Sequence, residues 1–179
     1  GRATVLLSGG LDSPVAAWLM MRRGLRPDFI HFYSGRNADE DDTEKIQDLA
    51  RNLRRFSPVP LTLWLAPAVP FEMRSIGVVP DSYDIVMFRR YMFKTAAALA
   101  RRCSCLALVA GDSLGQVASQ TINNLGAVAP DVQLPVFRPL IGMDKQEIVA
   151  WSREIGAYDT SILPYRDCCS IRSPRPVLN

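Results

Sequence analysis

The chain is poor in the residues that most enzymes use for acid–base and metal chemistry. It has one histidine, His31, in 179 residues, and offers neither a Ser/His/Asp set nor a histidine–carboxylate metal set. Its four cysteines fall as Cys103/Cys105 and Cys168/Cys169, never as C-x-x-C. That argues against a zinc knuckle and makes a reduced, cytoplasmic setting the expectation. No apolar run is long enough to cross a bilayer and no signal peptide opens the chain, so no membrane association is expected. Charge in excess is scarce as well: a net +3 and a pI of about 8.8 permit a nucleic-acid partner without requiring one. Internal repeats and low-complexity segments are missing. With 48% hydrophobic and 22% charged residues, what remains is a globular chain that can bury a core, in a single domain.

What is present begins at the N-terminus. An apolar run, Ala3 to Leu7, stops at Ser8-Gly9-Gly10-Leu11-Asp12-Ser13, and a helical pattern starts at Pro14 (Val15, Ala16, Leu19, Met20). Strand, glycine loop and helix start together bind phosphate: glycines let the backbone approach an anion, and first-turn N–H groups point at it. Pro14 suits the first helical position, where no N–H is needed. The loop lacks the Gly-Lys-Ser/Thr ending of a Walker A loop and the G-x-G-x-x-G of a dinucleotide fold. It resembles instead the PP-loop of the ATP pyrophosphatases, which implies a grip on the β,γ-pyrophosphate of ATP while the α-phosphate is attacked. The competing reading is an ordinary strand-to-helix turn.

Strands and helices alternate along the rest of the chain. Strands are expected at Asp28–Tyr33, Pro60–Ala66, Leu106–Ala110 and Pro135–Leu140. Helices are expected from Pro14 to Arg23 with Gly24 as C-cap, and around Ile46, Leu49, Ala50 and Leu53 after the acidic run Asp39–Asp42. A long helix should run from Ser82 to Arg102, with Met87, Tyr91, Thr95, Ala98 and Leu99 facing the core. Further helices are expected from Leu114 to Leu125 and from Asp144 to Ile155, the latter opened by an Asp144/Glu147 capping box and ended by Gly156. The proline-bearing connection from Pro67 to Pro80 and the tail from Ser161 should be irregular. This order predicts an α/β fold, a doubly wound parallel sheet of about five strands with helices on both faces. Ligands then belong beyond the carboxyl ends of the strands: Leu7–Ser13, His31–Ser34, Gly111–Ser113 and the segment after Leu140.

Several side chains in those places suit phosphate or sulfur chemistry. Ser8 and Ser13 have hydroxyl donors, and Gly9 and Gly10 expose N–H groups. Asp12 is repelled by polyphosphate unless a cation lies between them, so it reads as a position for Mg²⁺; the alternative is a simple helix cap. Arg89 and Arg90 are adjacent on the long helix, so at most one can reach a phosphate. Lys145 near a helix N-terminus opposes the dipole and hints at an anionic neighbour. Cys168 and Cys169 lie beside Arg166, a cation that favours thiolate; Cys103 and Cys105 read as core, and His31 as structural.

Taken in order, these segments resemble the ATP-dependent tRNA 4-thiouridine synthetases, also described as thiamine-biosynthesis sulfur carriers. The resemblance rests on Ser8–Ala16, His31-Phe32, Arg89–Met92, Gly111–Thr121, Arg138–Lys145 and Ser161–Cys169, and spans nearly the whole chain. It implies an adenine-nucleotide alpha-hydrolase-like fold, ATP and Mg²⁺ as cofactors, and two steps. The O4 of a tRNA uridine is adenylated with release of pyrophosphate, then sulfur from a persulfide displaces AMP. By motif, Leu6, Leu7, His31 and Phe32 would line adenine and ribose, Ser8 to Ser13 would hold pyrophosphate, and Arg89, Gly111 and Gln120 would complete the site. A tail cysteine would carry sulfur, Cys168 in first place and Cys169 in second. Three positions depart from the pattern: Asp112 stands where relatives carry Glu, Tyr33–Asn37 replaces a Ser-Pro-Pro-like stretch, and Arg166 replaces Glu. The family's N-terminal THUMP region and its C-terminal rhodanese domain are not in these 179 residues. The reading is therefore an excised catalytic domain, or a short protein that borrows tRNA binding and a sulfur donor, such as a cysteine desulfurase or rhodanese-type protein. A homodimer is compatible with it. Rival readings are an amidating ATP pyrophosphatase, which needs no tail cysteine, and a non-catalytic nucleotide-binding module.

Overall fold

The computed structural model describes residues 1–35, 43–116, 120–164 and 168–169. The acidic run Asp39–Asp42, Arg36 and Asn37, Val117 to Ser119, Tyr165 to Asp167 and the final prolines, all singled out above, lie outside the described residues. Five strands form one sheet: β1 (Arg2–Leu6), β2 (Arg26–Tyr33), β3 (Thr62–Pro67), β4 (Leu108–Val109) and β5 (Val136–Phe137). The order is β3-β2-β1-β4-β5 and every pairing is parallel. The chain builds outward from β1 to β3, then crosses back to β4 and β5 on the other side. The reversal falls between β1 and β4, which opens a crevice beyond their carboxyl ends.

Side chains alternate faces along each strand; the inner strands β1, β2 and β4 are covered on both faces and mostly apolar, while the edge strand β3 is largely exposed. Ala3, Val5, Leu7, Phe29 and Val109 pack under α1 (Asp12–Arg22), α2 (Thr43–Arg54) and α6 (Lys145–Glu154). Leu6, Ile30, Phe32, Leu108 and Ala110 pack under α4 (Asp81–Arg102), flanked by α3 (Val69–Ser75) and α5 (Ile122–Ala127). A last short helix, α7 (Tyr158–Ser161), follows Gly156, whose φ of +67° stops α6 as expected. Asp144 caps α6 in a full capping box with Glu147. No helix among the described residues is long and apolar enough to cross a membrane.

Four local expectations are corrected. The connection after Pro67 is not irregular throughout: α3 forms because Pro70 sits in its first turn, where no N–H is required, and Phe71 packs on Phe88 and Tyr91. The buried face of α4 is Ile85, Val86, Phe88, Arg89, Phe93, Ala96, Ala97 and Ala100, while Met87 and Ala98 are exposed. Of the expected stripe, Tyr91 and Leu99 pack at the margin of this core, and Met87 and Ala98 fall outside it because the alanine run gives no contrast to set the phase. Residues 114–116 form a turn with Gly115 at φ +74°, and the α-helix described in this segment is α5, from Ile122, capped by Thr121. α1 begins at Asp12, two residues before Pro14, with Leu11 at the N-cap and no side-chain cap.

At the opposite end of the sheet, Arg2 donates to Asp28 (2.6 Å), and the Cys105 thiol donates to the same carboxylate (3.2 Å). Burial first, and the Asp28 bond second, push the Cys105 thiol from 9.0 up to about 11. The folded thiol holds its proton more tightly than the unfolded one. Its contribution is therefore complete below pH 9.0 and lost as pH rises toward about 11. Urea melts of wild type and Cys105→Ala across that window should show the steeper alkaline decline in wild type. Parallel declines would remove Cys105 from the account.

Candidate functional site

The site is built at the crevice between β1 and β4. β1 ends at Leu6, and the chain turns through Ser8, Gly9 and Gly10 into α1. Two hydroxyls brace the turn: Ser8 N–H donates to Ser13 Oγ (2.8 Å), and Ser13 Oγ donates to the Ser8 carbonyl (3.1 Å). Gly10 N–H reaches Ser8 Oγ at 3.4 Å. The loop is thus held by its own serines, with the start of α1 aimed at the crevice. Gly111, directly beyond β4, crosses this loop so closely that a Cβ there would lie 2.8 Å from Ser13 N and 2.9 Å from Ser13 Cα.

A cavity of about 280 Å³ opens here, lined by Leu6, Ser8, Gly10, Asp12, Ser13, Arg89, Gly111, Asp112, Gln120 and Cys169, with Met92, Phe93 and Ala110. A smaller one of about 50 Å³ adjoins it, sharing Leu6, Ser8, Met92 and Cys169 and adding Leu7, His31 and Phe32. Of the residues expected to bind ATP or transfer sulfur, Gly9, Leu11 and Cys168 border neither cavity. A larger groove of about 340 Å³ between α2 and β3 shares no residue with either and has no convergent polar set.

Charge in the crevice is organised in two pairs of contacts. Arg89, 9% exposed, donates to Asp112 Oδ1, and Arg138 Nε donates to Asp112 Oδ2 at 2.9 Å. Asp112 is itself buried, so one carboxylate orients two guanidiniums and leaves that corner net positive. Arg90 points away, to the surface carboxylate of Asp131 with Lys94. Their nearness holds the Asp131 carboxyl below its usual range, the Lys94 hydrogen bond contributing most. Across the loop, Lys145 Nζ donates to Asp12 Oδ1 at 2.8 Å. The anionic neighbour hinted at by Lys145 is therefore Asp12. Both Lys145 and Asp112 are site residues that the sequence reading left without a role. The Lys145 signal was its position against a helix dipole; Asp112 was noted only as a departure from a pattern.

On the far wall, His31 is buried and its Nδ1 donates to the Leu7 carbonyl (2.9 Å), which fixes the imidazole tautomer. Gln120 presents a buried Oε1 with no hydrogen-bond partner, an acceptor that a donor-bearing ligand would satisfy. The two tail cysteines diverge. Cys168 is 2% exposed and donates its S–H to the Phe32 carbonyl at 3.1 Å, whereas Cys169 is partly exposed on both cavities. All four cysteines are free thiols. The serine–glycine loop, Arg89 with its Asp112 partner, and a thiol thus share one cavity. No cluster of three or more potential metal ligands exists among the described residues. Asp12, the carboxylate at the end of the loop, suits an ion that takes most of its ligands from phosphate and water.

Against known proteins, the family model described as "Thiamine biosynthesis protein (ThiI)" matches residues 1–179. A probable tRNA sulfurtransferase of Thermus thermophilus is 49% identical over 98% of this chain and 43% of its own length. The corresponding protein of Bacillus subtilis is 42% identical over 97% of this chain and 43% of its own. A 4-thiouridine synthetase–RNA complex with bound ATP superposes with a TM-score of 0.91 at 40% identity, covering 99% of this chain and 46% of that one. An NMN synthetase from Francisella tularensis, at 16% identity and a TM-score of 0.65 over 92% of this chain and 65% of that one, shares the fold. The chain spans less than half the length of the curated sulfurtransferases it matches.

Proposed function

Because this chain belongs to the ThiI family, we propose that it is the adenylating and sulfur-transferring domain of a tRNA uridine 4-thiolating enzyme. The observation that carries the reading is that Ser8 and Cys169 line the same cavity, so phosphoryl and sulfur chemistry can meet there. ATP is the nucleotide that the related RNA complex holds. Here Leu6, Leu7, His31 and Phe32 suit the adenine and ribose side. Ser8, Gly9, Gly10 and Ser13 suit the β,γ-pyrophosphate, and Gln120 offers its unpaired acceptor to the nucleotide.

In the first step the uridine O4 attacks the α-phosphorus, an O–P bond forms, and pyrophosphate leaves into the loop. Arg89, pre-aimed by Asp112, offsets charge on the α-phosphate, and Lys145 does so on the leaving group. Mg²⁺, when bound beside Asp12, would supply further neutralisation of the phosphate oxygens. In the second step the outer sulfur of a cysteine persulfide attacks C4, the C4–O bond breaks, and AMP departs with both electrons. A second thiol then attacks the cysteine sulfur of the C4–S–S–Cys link, the S–S electron pair leaves on the C4 sulfur, and the resulting disulfide is reopened by an external dithiol. The sulfur is delivered through the Cys168–Cys169 pair from a persulfide donor. Motif position favours Cys168; exposure to the cavity favours Cys169. Four free thiols suit a reducing cytoplasm.

The test separates the steps. In the intact protein, Cys168→Ala/Cys169→Ala should still release pyrophosphate with ATP and uridine-bearing tRNA, while thiolated product falls to background. The single variants then assign the reactive thiol. Full thiolation by the double variant would overturn sulfur transfer and leave an amidating ATP pyrophosphatase as the better reading. Absence of pyrophosphate release from wild type, despite ATP binding, would leave only a nucleotide-binding module.

A further inference from the structure

The cysteine pair enters the site from α7, and a lysine from much earlier in the chain holds the point of departure. Lys45, in the first turn of α2, is 7% exposed, and its ammonium donates to the carbonyls of Ser161 (2.9 Å) and Leu163 (2.7 Å). These carbonyls lie at the end of α7, where intrahelical donors run out and a cation is favoured. Burying an ammonium is costly, and a hydrocarbon would fill the space more cheaply. Its helix neighbours Ile46, Leu49 and Leu53 do so, each fully buried. The charge therefore has value for what it grips.

We propose that Lys45 is a positioning residue for the sulfur-transfer step: by holding Ser161 and Leu163 it sets where Cys168 and Cys169 meet the nucleotide cavity. This rests on the sulfur-transferase reading above. The argument is one of reach. Cys168 is five residues beyond Leu163, a span of at most about 17 Å of chain. A second tie, Cys168 Sγ to the Phe32 carbonyl, fixes the other end of the span. Phe32 lies near the end of β2 and Lys45 in the first turn of α2, so the two ties come from consecutive elements, the Cys168 tie on the α4 face of the sheet and the Lys45 tie from the helix on the other. Between them they leave Cys169 against Ser8, His31 and Met92. Losing the Lys45 tie releases the Ser161 and Leu163 carbonyls that precede the cysteine pair.

Lys45→Met and Lys45→Arg in the intact protein test this, with pyrophosphate and thiolated uridine measured in the same reactions. Iodoacetamide labelling of Cys169, mapped by peptide mass, gives a readout that needs no catalysis. In Lys45→Met, thiolation should fall about 100-fold, the scale set by a misplacement of roughly 1 Å. Pyrophosphate release should be unchanged, and Cys169 labelling in the absence of ATP should change several-fold. Lys45→Arg, which keeps a cation and its donors, should recover part of both. A merely structural lysine would lower the two products together. Equal losses, wild-type thiolation, or unchanged Cys169 labelling would each overturn the proposal. If Lys45→Met does not fold, Lys45→Gln carries the same readouts. Failure of the underlying reading is separate: thiolation surviving in Cys168→Ala/Cys169→Ala would remove sulfur transfer, while Cys169 labelling would still decide the positioning.

Discussion

Gly111→Ala should slow ATP-dependent pyrophosphate release about 100-fold, the largest effect expected from any single methyl group in this protein. The added Cβ would lie 2.8 Å from Ser13 N, 2.9 Å from Ser13 Cα and 3.0 Å from Asp12 C. All three are backbone atoms, so no flexible side chain can step aside. Something must shift by several tenths of an ångström. Strand β4 cannot, since it is bonded on one side to β1 and on the other to β5. The body of α1 is seated through Val15, Ala16 and Ala17, all fully buried. The free element is the loop, and with it the N–H groups that should meet pyrophosphate. A displacement of that order costs about 100-fold in rate, and overpacking costs roughly 1–3 kcal/mol in stability. Gly126→Ala is the control: nothing lies within 4 Å of its Cβ position, and alanine is the better helix former in α5. Isothermal titration with ATP and a pyrophosphate assay on both variants decide the matter. ATP affinity preserved in Gly111→Ala would mean that the loop is not the phosphate site.

That clash also shows which parts of the site a sequence can and cannot reveal. Ser8 to Ser13 was legible because glycine, serine and an N-terminal helix start carry phosphate chemistry locally. Parallel order was legible from continuously apolar strands, and Asp144 with Glu147 from spacing alone. The register that puts Gly111 on top of Ser13 is a tertiary fact, nearly a hundred residues removed in sequence. The same is true of Arg138 reaching Asp112, Lys45 reaching Leu163, and Lys145 reaching Asp12. Each joins a cation to an acceptor from a different βα unit, and no local pattern encodes which carboxylate or carbonyl a lysine or arginine will find. The buried face of α4 failed for a different reason. Its run Thr95-Ala96-Ala97-Ala98 has nearly uniform polarity, so the period was visible and its phase was not. Sequence ranks Cys168 ahead of Cys169 by motif position alone, and only packing sends one to the Phe32 carbonyl and the other to the cavity.

The second large effect belongs to Asp12. Asp12→Ala should lower the rate of pyrophosphate release by about 10²–10³-fold, the usual cost of removing one pre-aimed charge from a phosphoryl-transfer site. The fold should survive: the Asp12–Lys145 contact has both side chains partly open to solvent, and such pairs contribute about 1 kcal/mol or less. In the ligand-free protein this pair is a stored neutralisation. One carboxylate oxygen is engaged by Lys145 at 2.8 Å, which keeps the lysine beside the loop until polyphosphate arrives. ATP brings more negative charge than Lys145 can balance, and a carboxylate alone would worsen the excess. Asp12 is therefore favourable only if a cation joins it, which makes magnesium dependence the discriminating measurement. Asp12→Asn should raise the Mg²⁺ concentration at half-maximal rate while leaving the Tm near that of wild type. Lys145→Ala should instead raise KM for ATP and leave the Mg²⁺ midpoint in place, because it removes the counter-charge and not the ligand. An unaltered Mg²⁺ midpoint in Asp12→Asn would reduce Asp12 to a tether for Lys145, and the two variants would then share one phenotype.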